Sequence, residues 1–318
     1  MKAIHCSRGI LAVLILVMLA AINGFASGPT RGPRKIEFTT ESKEAKDYVA
    51  QIVNRVETFQ FGPEMNALAK KSVEADPKFA FGYYLIATTS ATPDEAKQNN
   101  EKAVELAKNA SEGERRYIEA VLLTRAQKPA EALPLFLDLA RQYPDDRMVL
   151  MLLGQVYTNL GKFDEANASF EKAIKLDGST PRVYTFLGNN ELLKGNYGKA
   201  RELFNRSLAK QVKGSAPFGP NYGIAYSYIY QGDIKSAVKT LEAYAADYQT
   251  STQQQNFPAV FIWNSIARLH LEYGTGDDAM KRLCDDPGQQ PRRNAEEDLA
   301  RAASSRPGSN AREDGQTR

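Results

Sequence analysis

The chain has very few residues of the kinds that bind metals or act as nucleophiles. Its 318 residues include two cysteines and two histidines. After residue 26, only His270 and Cys284 remain of these, too few for a zinc site or an intrachain disulfide. The paired Cys-x-x-Cys, His-Glu-x-x-His and Gly-x-Ser-x-Gly motifs are also missing, so neither a metalloprotease nor a serine hydrolase is indicated. We therefore expect no enzyme, no metal and no cofactor.

Charge of either sign is not concentrated anywhere in the chain. The 41 lysines and arginines nearly balance the 38 aspartates and glutamates, and no block of like charge exceeds a few residues. Binding to nucleic acid or to an anionic membrane surface would require a basic patch. Neither is therefore expected as a partner.

One apolar run stands out, Ile10–Ile22 near the amino terminus. It is shorter than the ~20 apolar residues that span a bilayer. It follows the basic residues Lys2 and Arg8 and precedes small residues around Ala26. This order is typical of a secretory signal peptide, which we place at residues 1–26. We expect an exported protein, periplasmic or secreted, with no membrane insertion after cleavage; an uncleaved anchor is the alternative.

Both flanks of the remaining chain are poor in core residues. Residues 27–40 are rich in glycine, proline and arginine, which predicts a flexible lead-in. Residues 287–318 contain one large apolar residue, Leu299, and no lysine follows Lys281, so we expect a disordered tail. The joint loss of lysine, core residues and periodicity also suggests that the reading frame departs from a longer repeat array near Cys284. The other two frames of the coding DNA test this hypothesis.

Between these flanks the chain repeats itself every 34 residues. Leu153, Gly154, Ala166 and Phe170 recur one period later as Leu187, Gly188, Ala200 and Phe204. In each unit, apolar residues at helical spacing lead to a breaking glycine such as Gly161, and a second helical stretch follows. A fixed period of this length indicates stacked helix pairs, because a single unit cannot bury its apolar face alone.

The pattern resembles the tetratricopeptide repeat, whose signature residues match Leu153-Gly154, Tyr157, Gly161, Ala166, Phe170 and Ala173 in the unit 147–180. The resemblance implies an all-α fold, a right-handed superhelical solenoid of antiparallel helix pairs over residues 41–286. With the signal peptide, the chain resembles an exported bacterial-type member of this family. Glu191 stands where the repeat has tyrosine, and Asp286 where it has a small residue. The units we assign are 46–79, 80–112, 113–146, 147–180, 181–214, 218–251 and a seventh that begins at 260.

In proteins with this repeat, inward-facing positions of the first helices line a concave groove that holds a peptide or a partner helix. Carried onto this chain, these positions predict a partner-binding groove formed by Tyr117, Met151, Gln155, Asn159, Thr185, Asn189, Tyr222, Tyr226, Tyr230, Asn264 and Arg268. Some family members capture a chaperone tail through a lysine at the position of Met151, but no unit has lysine there. The groove is instead aromatic, methionine-rich and amide-bearing, which suits an apolar helix or extended segment.

Tyr222, Tyr226 and Tyr230 form one stripe along a helix. Binding of a partner and packing against the neighbouring unit both explain such a stripe. We expect a non-catalytic scaffold or adaptor that captures a peptide or helix of a partner protein. A self-associating structural oligomer is one alternative, and a repeat module of a truncated enzyme or larger protein is another.

Overall fold

The computed structural model describes residues 35–251 and 260–273, and within these ranges all regular secondary structure is helical. Consecutive helices pack as pairs joined by short turns, and the last helix begins a seventh pair. The helices are α1 (Lys43–Glu57), α2 (Glu64–Ala75), α3 (Ala80–Thr89), α4 (Pro93–Ala107), α5 (Glu112–Arg125), α6 (Pro129–Gln142), α7 (Arg147–Asn159), α8 (Phe163–Leu176), α9 (Pro181–Leu193), α10 (Tyr197–Leu208), α11 (Phe218–Tyr230), α12 (Ile234–Gln249) and α13 (Val260–Tyr273). The predicted all-α solenoid of helix pairs is confirmed.

Several sequence-based predictions fall on other parts of the chain. The signal peptide at 1–26, the tail at 287–318 and the second helix of the seventh unit lie outside the described residues. Of the helices that are described, none is long and apolar enough to cross a bilayer. In the same part of the chain, no cluster of three or more histidine, cysteine or acidic side chains could hold a metal ion.

A tight turn with a left-handed residue joins the two helices of a pair. Gly161, Gly195 and Gly232 stand at this place in three successive units, with φ of +71°, +80° and +79°. Glycine adopts such angles readily because it has no Cβ. In the preceding unit Gln127 takes the same place at φ 59°, where a side chain costs about 1–2 kcal/mol. The turn is therefore imposed by the packing of the helix pair, and glycine only makes it less costly.

Large and small residues meet in the core at the repeat period. Phe136, Phe170 and Phe204 are fully buried in three successive units. A Cβ added at Gly154 would lie 2.4 Å from Phe170 Cε1, and one at Gly188 would lie 2.7 Å from Phe204 Cε1. Carbon atoms in ordinary contact are about 3.5–4.0 Å apart, so no side chain fits at either glycine. The two helices of a pair therefore approach each other closely at these glycines.

Glu191, which replaces the tyrosine of the repeat, is buried and paired. Its side chain is 1% exposed. The carboxylate accepts hydrogen bonds from Asn167 Nδ2 at 2.9 Å, Asn196 Nδ2 at 2.7 Å and Lys199 Nζ at 3.1 Å. Burial alone would raise the pKa of Glu191, but the hydrogen bonds from Asn196 and Lys199 hold it below its ordinary value of 4.5. A polar network thus fills the place of the aromatic ring.

Residues 35–40, here called the strap, are the described part of the lead-in predicted over 27–40, and they pack against the helices. The strap passes the amino-terminal ends of α3, α5 and α7, and its side chains alternate between buried and exposed. Its contacts are the Ile36 N–H to Asp146 Oδ2 at 3.0 Å, the Phe38 ring on Phe81 at 3.9 Å, the Thr39 N–H to Glu114 Oε2 at 2.6 Å, and the Thr40 hydroxyl to Asp76 Oδ2 at 2.5 Å. Burial of Ile36 and Phe38 offsets the entropy lost on ordering this segment. Residues 27–34 lie outside the described residues.

Candidate functional site

The first helices of five successive pairs surround a concave groove of about 540 Å³. We call it the amino-terminal groove. Its walls are mainly apolar, with a few polar groups between them, as is usual for binding pockets of this volume. The lining residues are Ile52, Val53, Val56, Glu57, Phe61, Gly62 and Met65 from the first pair, Phe81, Tyr84, Leu85, Thr88 and Thr89 from α3, Tyr117 and Arg125 from α5, Met148, Met151, Leu152 and Gln155 from α7, and Arg182 from α9.

A long-range ion pair closes one side of this groove. Glu57, the last residue of α1, and Arg147, the first residue of α7, are joined by an Oε2–Nη1 contact of 2.6 Å. Their side chains are 7% and 18% exposed, so the pair is largely shielded from water. Arg147 Nη1 also donates to Thr180 Oγ1 at 2.8 Å. The carboxyl end of α1 is thereby held against the fourth pair, and the intervening helices curve around the groove.

Arg182 projects into the same groove from the first turn of α9. Its guanidinium lies over the Phe186 ring at 5.1 Å, and that ring stacks on Phe170 at 5.4 Å. Among the described residues it has no hydrogen-bond or ion-pair partner. Burial lowers the pKa of Arg182, while the charge of Glu57 and the neighbouring tyrosines act in the opposite direction. The group is a positioned cation whose donors are unused.

Two tyrosines stand near this cation. Tyr84 on α3 and Tyr117 on α5 both line the groove, and burial raises the pKa of each phenol. Tyr117 is fixed by edge-on contacts with Phe38 of the strap at 5.8 Å and with Phe81 at 5.7 Å. The strap therefore supports the groove from behind. The phenols remain protonated near neutral pH and can donate hydrogen bonds to an acceptor on a ligand.

The exposed rings of Phe218, Tyr226, Tyr230 and Phe261 form a second surface, which we call the aromatic face. Tyr226 and Tyr230 are 45% and 59% exposed and stack on each other at 6.2 Å. Tyr226 occupies in α11 the repeat position that Gln155 occupies in α7. Phe261 on α13 is 50% exposed. Exposed aromatic clusters of this kind are common at protein interfaces.

The predicted groove residues separate into three groups in the structure. Tyr117, Met151 and Gln155 line the amino-terminal groove. A second group is exposed or partly exposed on helices α7, α9, α11 and α13: Asn159, Asn189, Tyr226, Tyr230, Asn264 and Arg268. Arg268 is paired there with Glu272 at 2.8 Å. The binding role of all these residues stays a prediction.

The other two predicted groove residues, Thr185 and Tyr222, are buried against neighbouring helices. Thr185 is buried, and its hydroxyl lies 2.8 Å from the Ser207 hydroxyl in the adjacent helix. Tyr222 is also buried, with its hydroxyl 3.0 Å from Ser265 Oγ on α13 and its ring edge-on to Tyr244. Side chains of α10 contact Thr185, and side chains of α12 and α13 contact Tyr222. Of the three tyrosines in the predicted stripe, Tyr226 and Tyr230 are the exposed ones.

The first two pairs contribute groove residues that sequence reasoning missed. Tyr84 and Thr88 stand at the repeat positions of Met151 and Gln155, so the same alignment, extended to the second unit, points to them. Met65 and Phe61 have no such signal, because they belong to the turn and second helix of the first pair. They reach the groove only through the curvature of the array.

Comparison with known proteins finds the repeat itself. Residues 149–180 and residues 221–251 each match a family described as tetratricopeptide repeat. The chain therefore contains tetratricopeptide repeats, in agreement with the helix pairs described above. Over 127 residues it is 26% identical to the general transcriptional corepressor trfA of Dictyostelium discoideum, a stretch that is 40% of this chain and 8% of that protein.

Two solved structures are similar to this chain at a lower sequence identity. MamA is 18% identical, with 61% of this chain and 98% of that chain covered and a TM-score of 0.42. PilW, described as a widely conserved type IV pilus biogenesis factor, is 18% identical, with 67% and 98% covered and a TM-score of 0.44. The assignment of the repeat rests on the two matched segments and on the helix pairs.

Proposed function

We propose that this protein is a non-catalytic scaffold that holds a segment of a partner protein in its concave groove. The observation that carries the proposal is the amino-terminal groove, an apolar cavity of about 540 Å³ lined by five successive first helices. Concave surfaces of stacked helix pairs present many side chains to one extended or helical segment. Val53, Phe61 and Leu152 supply accessible apolar area, and Gln155 supplies an amide for orientation.

The aromatic face extends this surface to the sixth and seventh pairs. Tyrosine offers a large contact area at a low cost in side-chain entropy, which is why it is frequent among residues that dominate binding energy. Tyr226 and Tyr230 are the exposed members of the predicted stripe. A partner segment long enough to cross α9 would contact both the groove and these rings.

We further propose that the scaffold works outside the cytoplasm, after removal of residues 1–26. The support is the order of basic residues, apolar run and small residues in that segment. Fractionation of cells that express a carboxyl-terminally tagged chain tests this. Recovery of uncleaved protein in the cytosol contradicts export, and recovery of uncleaved protein in the membrane supports the anchor alternative.

Site-specific photocrosslinking in the native cells tests partner capture. A crosslinking amino acid is placed at Gln155 in the groove, at Tyr226 on the aromatic face, or at the exposed Ala168 on α8. We expect one discrete adduct from Gln155 and Tyr226 and none from Ala168. Adducts from all three positions alike, or from none, contradict groove capture. An adduct with a second copy of the chain, with a dimeric mass by light scattering, supports the oligomer alternative.

Replacement of tyrosines separates binding from packing. The double variant Tyr226→Ala/Tyr230→Ala should keep the wild-type melting temperature and lose the adduct at Gln155. Tyr222→Ala should instead lower the melting temperature, because truncating a buried aromatic ring leaves a cavity and costs ~3–5 kcal/mol. An intact adduct in the double variant means that the aromatic face takes no part in capture.

A further inference from the structure

Arg182 is a partly buried cation in the amino-terminal groove, and its donors are unused by the described part of the chain. A guanidinium carries five N–H donors, and buried charges in proteins are normally paired. The side chain is held in position, because its guanidinium carbon lies 5.1 Å from the centre of the Phe186 ring, which is itself stacked on Phe170. The cation is therefore held in place before any ligand binds.

Glu57, the acidic residue that lines this groove, is already engaged by another residue. Glu57 Oε2 lies 2.6 Å from Arg147 Nη1, and among the described residues neither Glu57 nor any other acid is within ion-pair distance of Arg182. Arg125 adds a second exposed guanidinium on α5 at the edge of the groove. The polar part of the groove thus carries two unpaired arginines, and a ligand with a negative charge complements it.

Apolar surface lies on both sides of Arg182. On one side are the apolar walls of α1, α3 and α7, including Leu85 and Met151. On the other side α11 packs against α9, with Phe218 and Tyr226 exposed on it. A chain that reaches Arg182 can continue in either direction over apolar side chains. This arrangement fits an acidic side chain within a segment better than the carboxylate at the end of one.

We propose that Arg182 binds the carboxylate of an aspartate or glutamate side chain flanked by apolar residues, in a segment of a partner protein that lies along the groove. This inference rests on the proposed function and names the chemistry of the segment that is captured. Arg182 would supply two parallel N–H donors to the carboxylate, and the Tyr84 and Tyr117 hydroxyls stand nearby as further donors. The Phe186 ring keeps the guanidinium plane in place.

Selection from a displayed peptide library gives the first test. The random segment is flanked on both ends, so that any acid comes from a side chain, and the full chain is the bait. We expect the recovered peptides to be enriched in aspartate or glutamate between apolar residues. The same selection on Arg182→Gln should lose the acidic preference, whereas Arg115→Gln, which removes an exposed arginine on α5 outside the groove, should keep it.

A double-mutant cycle on one recovered peptide gives the second test. Changing the peptide glutamate to glutamine should weaken binding to the wild type roughly 10- to 100-fold, the usual size of a charge-assisted hydrogen bond. The same peptide change should have little effect on Arg182→Gln. Equal losses in both proteins would show that the acid contacts some other group and would overturn the proposal. Because the peptide change alone is measured on unmodified protein, a folding defect in the variant does not obscure it.

The failures of the two proposals are distinguishable. If no peptide is recovered at all, segment capture in the groove is wrong. If peptides are recovered without acidic preference, or only from a library with free carboxyl ends, the assignment of Arg182 is wrong while capture stands. A third outcome is recovery only after deletion of residues 287–318, which include Glu296 and Glu297. It would mean that the chain's own tail fills the groove, and it would overturn the partner assignment.

Discussion

Gly223→Ala should destabilise the carboxyl-terminal half of the solenoid, although alanine is the better helix former. Gly223 lies in α11, and its Cα faces the fully buried ring of Phe204 in α10. A Cβ at this position would lie 2.3 Å from Phe204 Cζ and 2.6 Å from two further ring carbons. The ring has little room to retreat, because a Cβ at Gly188 on α9 would also lie only 2.7 Å from it. The added methyl group must push α11 away from the fifth pair.

Two opposing effects set the change in the free energy of unfolding for Gly223→Ala. Overpacking a tight core site costs typically ~1–3 kcal/mol, and here the overlap exceeds ~1 Å relative to normal carbon contact. Replacing glycine by alanine in a helix gains about 1 kcal/mol of intrinsic propensity. Because this overlap places the cost in the upper part of that range, about 2–3 kcal/mol, we expect a net loss of about 1–2 kcal/mol. Gly198→Ala in α10 is the matched control, because no atom lies within 4 Å of its added Cβ and only the propensity gain remains, about 0.5 kcal/mol near a helix end.

Urea unfolding followed by two probes measures both variants. Trp263 is the single tryptophan and packs in the carboxyl-terminal core cluster, so its fluorescence reports the pairs next to Gly223. Far-ultraviolet circular dichroism reports the whole array, which can unfold in sections. We expect the fluorescence midpoint to fall for Gly223→Ala and to rise slightly for Gly198→Ala. Shifts of the same sign and size would refute the close-approach argument.

A second variant tests whether the Phe204 ring is the obstacle. In a Phe204→Leu background the smaller side chain leaves room for the methyl group at Gly223. Adding Gly223→Ala should then cost less than it costs in the wild type, with a favourable coupling of roughly 0.5–3 kcal/mol between the two sites. Strictly additive losses would mean that the glycine is required for another reason.

Three further predictions use the same urea assay. Ala166→Leu in the core should cost ~1–3 kcal/mol, whereas Ala168→Leu on the exposed face of the same helix should be nearly silent, and equal losses would contradict the repeat alignment. Gln127→Gly should raise stability by about 1 kcal/mol because it relieves a left-handed backbone, and a loss would show that the side chain has a stabilising contact. The folded pKa of Glu191 is lowered, so its stabilising contribution is present above its ordinary value of 4.5 and is lost as pH falls through the folded value. Glu191→Gln should therefore be less stable than the wild type at neutral pH, with the difference shrinking as pH falls below 4.5, and a difference constant with pH would contradict this.

Much of the fold is predictable because each unit solves the same local packing problem. Phe170 and Phe204 are buried at the repeat period, and Gly154 and Gly188 stand opposite them, so side-chain volume alone identifies the contact. The candidate site is less predictable, because the exposure of a site residue depends on which helices pack next to it. Tyr222 stands at the repeat position of Met151, yet α13 covers its hydroxyl end. The repeat position is the same for both residues, so it cannot show that Met151 lines the groove while Tyr222 contacts α13.

The strap shows a different limit of prediction from sequence, which arises when composition is averaged over too long a stretch of residues. Glycine, proline and arginine in 27–34 dominate the composition of 27–40, but Ile36, Phe38 and Thr40 alternate with polar residues. This alternation is the signal of an extended segment with one buried face, and the structure places those three side chains inward. A shorter window separates the two stretches.

The curvature that creates the amino-terminal groove is encoded outside the repeat signature. Glu57 and Arg147 are 90 residues apart and hold α1 against α7, and the strap links α3, α5 and α7 along their amino-terminal ends. Neither contact recurs from unit to unit, so a pattern that repeats every 34 residues cannot reveal it. The stacking of helix pairs produces a concave surface. The ion pair and the strap, each present once, join first helices that enclose the groove. Arg147 engages Glu57, and among the described residues no carboxylate pairs with Arg182, so the groove carries an unpaired positive charge beside the contact that holds α1 against α7.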